Sequence, residues 1–264
     1  MLQKKTPSRT ADQVRKALRK YASARKAAIL SRFFKTGPGE YGAGDVFIGV
    51  QVPCIREVSR QYAGLDLPGT LELLHSEIHE ERLLALCLWA LKYERGDAAT
   101  RNHIVRLYLQ NTSHINNWDL VDLSAPKLLG HWLLERDGRQ SPNGTAAGAD
   151  PGHAPLPATA ELFNTLTAST NLWERRIAIV STLTFIRNRS FDHTFGIADR
   201  LLGDPADLLQ KATGWMLREV GKRDVEALET FLWPRYARMP RTMLRYAIER
   251  FPEGKRQAYL KGTA

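Results

Sequence analysis

A helical solenoid, all α, is the fold class predicted by this 264-residue sequence, and three observations carry that prediction. Apolar residues recur at helical spacing along most of the chain, whereas alternating strand patterns of useful length are hard to find. Similar helix-opening segments begin at Glu81, Trp118, Trp173, Leu209 and Thr242, at separations of 37, 55, 36 and 33 residues. The long interval contains a 22-residue Gly/Pro/Ala/Ser stretch, Asp137 to Ala158, without which the spacing returns to 33. A period in the mid-thirties with two helices per unit is that of HEAT or TPR arrays, which curve and present one long concave face.

In chain order, a first amphipathic helix is expected over about Ala11 to Phe34, where Val14, Leu18, Tyr21, Leu30 and Phe33 keep helical spacing. Thr36 to Asp45 holds four glycines and a proline in ten residues, so it is a loop with several unusual backbone angles. Phe47-Ile-Gly-Val-Gln-Val-Pro53 leads into another helix, with Pro53 in its first turn, where a missing N–H costs nothing. Leu67-Pro-Gly-Thr70 is expected to cap the next. The five repeated segments follow. The stretch 137–158 has too little apolar content to fold by itself and is expected to be a disordered surface loop within one domain spanning 1–264.

Composition narrows the function. With 43% hydrophobic residues the chain can build a real core, yet its longest apolar runs, such as Leu83 to Leu91, are far too short to cross a bilayer. Residues 1–30 carry no hydrophobic signal core, so an intracellular, cytoplasmic protein that makes no membrane contact is expected. Two cysteines, Cys54 and Cys87, exclude a disulfide framework, an all-cysteine zinc site and a four-cysteine iron–sulfur cluster.

The 38 basic and 28 acidic residues give a net charge of +10, unevenly placed. Residues 1–35 carry +10 and residues 210–264 carry +6, leaving −6 for the middle. Two basic ends point to a polyanion gripped at separated places. A solvated basic surface is the plain alternative, and an organellar transit peptide a weaker one.

Few motifs carry chemistry. His75-Ser-Glu-Ile-His79 sets two histidines one turn apart, but the zincin order of His and Glu is missing and no third ligand follows, so a solvated helix face is expected. Leu67-Pro-Gly-Thr70 lacks the second glycine of a helix-hairpin-helix turn. Neither a P-loop, a dinucleotide fingerprint nor a Gly-x-Ser-x-Gly elbow occurs. The stronger signal is Asn117-Trp-Asp-Leu-Val-Asp122, where Trp118 and Asp122 share a helical face and offer a ring and a carboxylate to a cation. The plain alternative makes Trp118 a core residue and Asp119 or Asp122 a helix-start or salt-bridge group. Trp173 with Arg176 and Trp215 with Arg218 repeat the aromatic-plus-charge pair with a basic partner, suited to phosphates.

These blocks, together with Phe47 to Pro53, Leu172-Trp-Glu-Arg-Arg176 and Gln210-Lys-Ala-Thr-Gly-Trp-Met-Leu-Arg-Glu219, resemble the AlkD-type DNA alkylation repair glycosylases, in the same order from about residue 15 to 255. The resemblance implies a right-handed α-solenoid of HEAT-like repeats with a concave DNA-binding groove. It implies excision of cationic alkylated purines such as 3-methyladenine and 7-methylguanine, and tolerance of bulky adducts, from double-stranded DNA. The damaged base need not be flipped, and no metal or organic cofactor is required. Asp122 is implied as the catalytic carboxylate, Trp118 and Trp215 as aromatic walls beside the lesion nucleotide, and Arg176 as a backbone-contacting arginine. Gln51, Lys211 and Arg218 match further groove positions. The Gly-rich loop disturbs the alignment of the family's N-terminal tyrosine, whose place falls to Tyr41 or Phe33. A monomeric, nucleoid-associated protein of bacterial type is the corresponding expectation. The competing readings are a HEAT-like scaffold that binds DNA without excision, and a helical adaptor for an acidic protein.

Overall fold

The computed structural model describes residues 9–139 and 156–264, and among them the only extended pairing is a single parallel bridge between Val46 and Ile78. Everything else is helix, turn or loop, as the all-α prediction requires. The chain packs as two compact units, one through Ser124 and one from Ala125.

The first unit contains α1 (Ala11–Arg19), α2 (Ala24–Phe33), α3 (Val52–Gln61), α4 (Leu67–Leu74), α5 (His79–Arg95), α6 (Ala98–Gln110) and α7 (Trp118–Ser124). The single first helix expected over 11–34 is two. Thr10 and Gln13 close a capping box at α1, and the chain turns at 20–23 so that Ser23 caps α2 through Lys26 N. Ser23 N donates to Ile48 O at 2.9 Å, which ties the turn to the segment after the glycine loop. Each half is amphipathic by itself, and only the small capping serine marks the break.

Gly49 shows why that segment is what it is. Its φ is +81°, and a Cβ there would lie 2.1 Å from Ser23 O. Pro53 sits in the first turn of α3 as expected. At α4 the cap is Asp66, whose carboxylate accepts from Gly69 N at 2.9 Å; Leu67-Pro-Gly-Thr70 is the first turn that follows. The centre of this unit is α5, buried on nearly all sides from His79 to Trp89 and packed against α3, α4, α6 and α7.

The second unit begins with a π-type turn, Pro126–Gly130, and continues through α8 (His131–Arg139), α9 (Thr159–Thr167), α10 (Leu172–Ser181), α11 (Leu183–Arg187) and α12 (Asp192–Arg200). It closes with α13 (Asp207–Gly221), α14 (Val225–Leu232), α15 (Arg241–Ala247) and α16 (Glu253–Lys261). Its central helix is α13, which packs on α10, α14 and α15. At Gly214 a Cβ would meet Met243 O at 2.5 Å, so glycine lets α13 and α15 approach closely.

All five repeated segments fall on helices, α5, α7, α10, α13 and α15. Of the loop expected over 137–158, residues 140–155 lie outside the described residues. Its described C-terminal edge, 156–158, is loop, but its N-terminal edge is not: α8 runs on to Arg139, and Asp137 accepts from Thr159 Oγ1 at 2.5 Å while its other oxygen pairs with His193 at 3.0 Å. Arg136 adds hydrogen bonds to the carbonyls of Leu156 and Pro157.

Candidate functional site

Helix α7 starts because Asn117 accepts from Trp118 N at 2.8 Å, and it is fastened by the buried Leu120, Val121 and Ser124. That leaves Trp118, Asp119 and Asp122 on its other side, each only partly buried. The ring of Trp118 lies parallel to Phe34 at 5.2 Å and edge-on to Phe33 at 6.0 Å. Offset stacks of this kind add roughly 0.5–1.5 kcal/mol each beyond burial and fix ring orientation. Trp118 is thus half-buried and held by two rings rather than enclosed in the core.

Asp122 follows one turn later. Its charge is felt by Tyr108, whose phenol is held above its ordinary range first by complete burial and then by that carboxylate. Tyr108 is itself anchored to Ser124 Oγ at 3.1 Å.

Beneath α7 lies a buried charge cluster that sequence reasoning missed. His79, expected on a solvated helix face with His75, is almost wholly buried, and the two histidines do not share a helix, because α4 ends before His75 and α5 begins at His79. His79 Nδ1 is 3.0 Å from Asp45 Oδ2 and Nε2 is 2.8 Å from Asp119 Oδ2. Asp45 also accepts from Arg82 Nη2 at 2.5 Å and from Asn117 Nδ2 at 2.9 Å. Burial alone would lower the imidazole pKa; the bonds to Asp119 and Asp45 outweigh it and raise it. For Asp45 burial acts upward, and the bond from His79 with the charge of Arg82 wins, holding the carboxyl below its usual range.

Two aromatic rings beside His79 complete the arrangement. Phe47 stacks on it at 4.5 Å and Phe34 lies 5.0 Å away, so the ring series runs from His79 through Phe34 to Trp118. Next along α5, Glu80 accepts from the N–H groups of Ile48, Gly49 and Val50 at 2.8–3.2 Å and so holds the segment that carries Phe47. The only sequence signals were an aspartate closing the glycine loop and a His-Glu-Glu-Arg run opening a helix.

Between the two candidates for the N-terminal aromatic, Phe33 is the one against Trp118, with 62% of it exposed. Tyr41 instead donates its hydroxyl to Phe33 O at 3.4 Å. Gln51 is exposed at the start of α3 and accepts from Lys26 Nζ at 2.7 Å.

In the second unit the expected residues separate. Trp173 and Arg176 are buried, at 8% and 5% exposure, and Arg176 Nη1 donates to Leu208 O at 2.6 Å, fastening α10 to the start of α13. On α13, Lys211, Trp215 and Arg218 share a partly exposed stripe, because Leu209, Ala212, Met216, Leu217 and Val220 turn inward. Lys211 pairs with Asp207 at 2.7 Å and Arg218 with Glu249. Among the described residues no group of three or more His, Cys, Asp or Glu is arranged to hold a metal ion, and no helix is long and apolar enough to cross a membrane.

Comparison with known proteins agrees with the resemblance in the sequence. The model of the family described as DNA alkylation repair enzyme matches residues 14–251. A solved structure, a predicted DNA alkylation repair enzyme from Enterococcus faecalis, superimposes with a TM-score of 0.64 at 17% identity, covering 88% of this chain and 97% of that one. At that identity the likeness speaks for the fold. No curated protein matches.

Proposed function

Because this chain belongs to the DNA alkylation repair enzyme family, we propose that it is a DNA glycosylase that hydrolyses the N-glycosidic bond of cationic alkylated purines in duplex DNA. The observation that carries the proposal is on α7: a half-buried Trp118, held by two phenylalanines, with the Asp122 carboxylate one turn along.

The chemistry asks little more of the protein. Alkylation at N3 or N7 gives the purine a positive charge, so it leaves with the electron pair of the C1′–N bond and is neutralised in doing so. Positive charge then develops on the deoxyribose. Asp122 stabilises that charge, Trp118 and Trp215 pack against the sugar and backbone, and water adds at C1′ and sheds a proton, leaving an abasic site and a free base. Packing against the sugar rather than the base allows the lesion to stay stacked and bulky adducts to be accepted. The partner is double-stranded DNA bound by a monomer, with Gln51, Lys211 and Arg218 meeting its backbone. Neither a metal nor an organic cofactor has a part.

Single-turnover release of 7-methylguanine, with enzyme in excess, tests this. Asp122→Asn keeps the size of the side chain and deletes its charge, so release should fall roughly a hundredfold, about 3 kcal/mol in the barrier, while duplex affinity persists. Near-native release removes Asp122 as the catalytic group. Tight duplex binding with no release by the unaltered protein from any methylated DNA would favour the non-catalytic scaffold.

A further inference from the structure

We propose that His79, as an imidazolium hydrogen-bonded on both sides between Asp45 and Asp119, is the positioning residue that sets Trp118 and the first turn of α7, and through them Asp122. Its catalytic consequence rests on the glycosylase reading; its structural part does not.

The argument starts from donors and acceptors. Ionised carboxylates only accept, so an imidazole with a carboxylate on each nitrogen satisfies both only when both nitrogens carry hydrogen. A neutral ring would turn a lone pair towards Asp45 or Asp119 at 3.0 or 2.8 Å. The charged groups that face it are Asp45 from the glycine loop, Asp119 from α7 and Arg82 from its own helix, with Asn117 beside Asp45. Two anions and two cations balance when His79 is protonated. Glu80 takes no part, being turned to the backbone of 48–50. The raised pKa of His79 agrees with this geometry.

Two routes lead from the ring to the candidate site. Asp119 is the second residue of α7, so the 2.8 Å bond from Nε2 fixes the turn that precedes Asp122. Phe47 stacks on the imidazole, and Phe34, tilted to it and 5.0 Å from both rings, lies 12° from parallel with Trp118. A cation against aromatic faces adds attraction that a neutral imidazole lacks. Deprotonation therefore loosens the aromatic stack and the helix start together.

The sign follows from the direction of the shift. A group whose folded pKa is raised stabilises fully below its ordinary value, about 6.5 for histidine, and the contribution is lost as pH rises through the folded value. Activity should therefore carry an alkaline limb that no group in contact with the lesion explains.

The experiment follows the ¹⁵N resonances of the His79 ring and the Trp118 indole N–H between pH 6 and 10, alongside single-turnover release of 7-methylguanine, in the unaltered protein and in Asp119→Asn. Asp119 is the safer change because its side chain is 16% exposed and asparagine still pairs with a neutral ring. His79 should be doubly protonated at pH 7, and the Trp118 resonance and the release rate should both shift at its titration midpoint. In Asp119→Asn that midpoint should move down, and release at pH 8 should fall about tenfold with duplex affinity within twofold, the pattern of a misplaced catalytic constellation. A neutral His79 at pH 6.5, or a Trp118 resonance and release rate indifferent to the midpoint, overturns the proposal. If the protein releases no base at any pH, the glycosylase reading fails, and the Trp118 resonance alone still decides the positioning role.

Discussion

Trp173-Glu-Arg-Arg176 on α10 and Trp215-Met-Leu-Arg218 on α13 carry the same aromatic and the same cation at the same spacing, yet the fold uses them in opposite ways. On α10 every residue from Arg176 to Ser181 is buried, so the helix is enclosed and the pair becomes core and clamp. On α13 an inward apolar stripe leaves Lys211, Trp215 and Arg218 on the side that keeps solvent access. Spacing defines a face of a helix, and the number of neighbours around that helix decides whether the face can meet a ligand. Arg176, the residue implied to contact a phosphate, is the one committed to Leu208 O.

The widest gap between the two helices should appear on removing the tryptophans. Trp173→Ala empties a packed site and should cost about 3–5 kcal/mol of unfolding free energy. Trp215→Ala removes a half-buried ring and should cost about 1–2 kcal/mol, while weakening duplex binding. Urea titration of both variants checks this; equal losses would mean that α13 turns Trp215 into the core in solution.

The arginines should divide the same way on a smaller scale. Arg176→Ala removes a buried, charge-assisted bond to the Leu208 carbonyl and should lower stability by about 1.5–3 kcal/mol. Arg218→Ala breaks a partly exposed pair with Glu249 and should stay within about 1 kcal/mol. Binding across a salt series sharpens the contrast: Arg218→Ala should flatten the slope by about one phosphate, whereas folded Arg176→Ala should keep it. A slope lost by Arg176→Ala alone would place that residue, and not Arg218, at the proposed DNA interface.

How much of this was legible beforehand depends on sequence distance. The helices of the repeats, the glycine loop and Pro53 at the start of α3 rest on patterns within about ten residues, and the structure bears them out. The break after α1 was hidden because only the small capping Ser23 marks it, with neither glycine nor proline between the two helices. His79 was misread as solvated because its partners, Asp45 and Asp119, lie 34 and 40 residues away, and no local pattern says that a histidine beside two glutamates will be buried. Helix α8 outran its composition for the same kind of reason. Asp137 looked like the first residue of a loop, but Thr159 and His193, 22 and 56 residues on, hold it in the helix. Trp118 and Asp122 could be placed on one helical face because they lie about one turn apart in the sequence.

The smallest effect tests the exposed end of the α13 stripe. Lys211 pairs with Asp207 four residues earlier, and both side chains are substantially exposed, at 40% and 60%. Such helix-surface pairs contribute only about 0.3–0.5 kcal/mol, so Lys211→Ala should leave the urea midpoint nearly unchanged. Its ammonium, however, swings on a long flexible stem and can exchange Asp207 for a phosphate oxygen at little cost. Duplex affinity at low salt should therefore fall a few fold, and the salt slope should drop by about 0.9, the share of one neutralised phosphate on B-form DNA. The loss should be equal for damaged and undamaged duplex, since a phosphate contact carries no information about the base. An unchanged slope in Lys211→Ala, set beside a reduced one in Arg218→Ala, would confine the proposed DNA contact of α13 to the part of the stripe around Trp215.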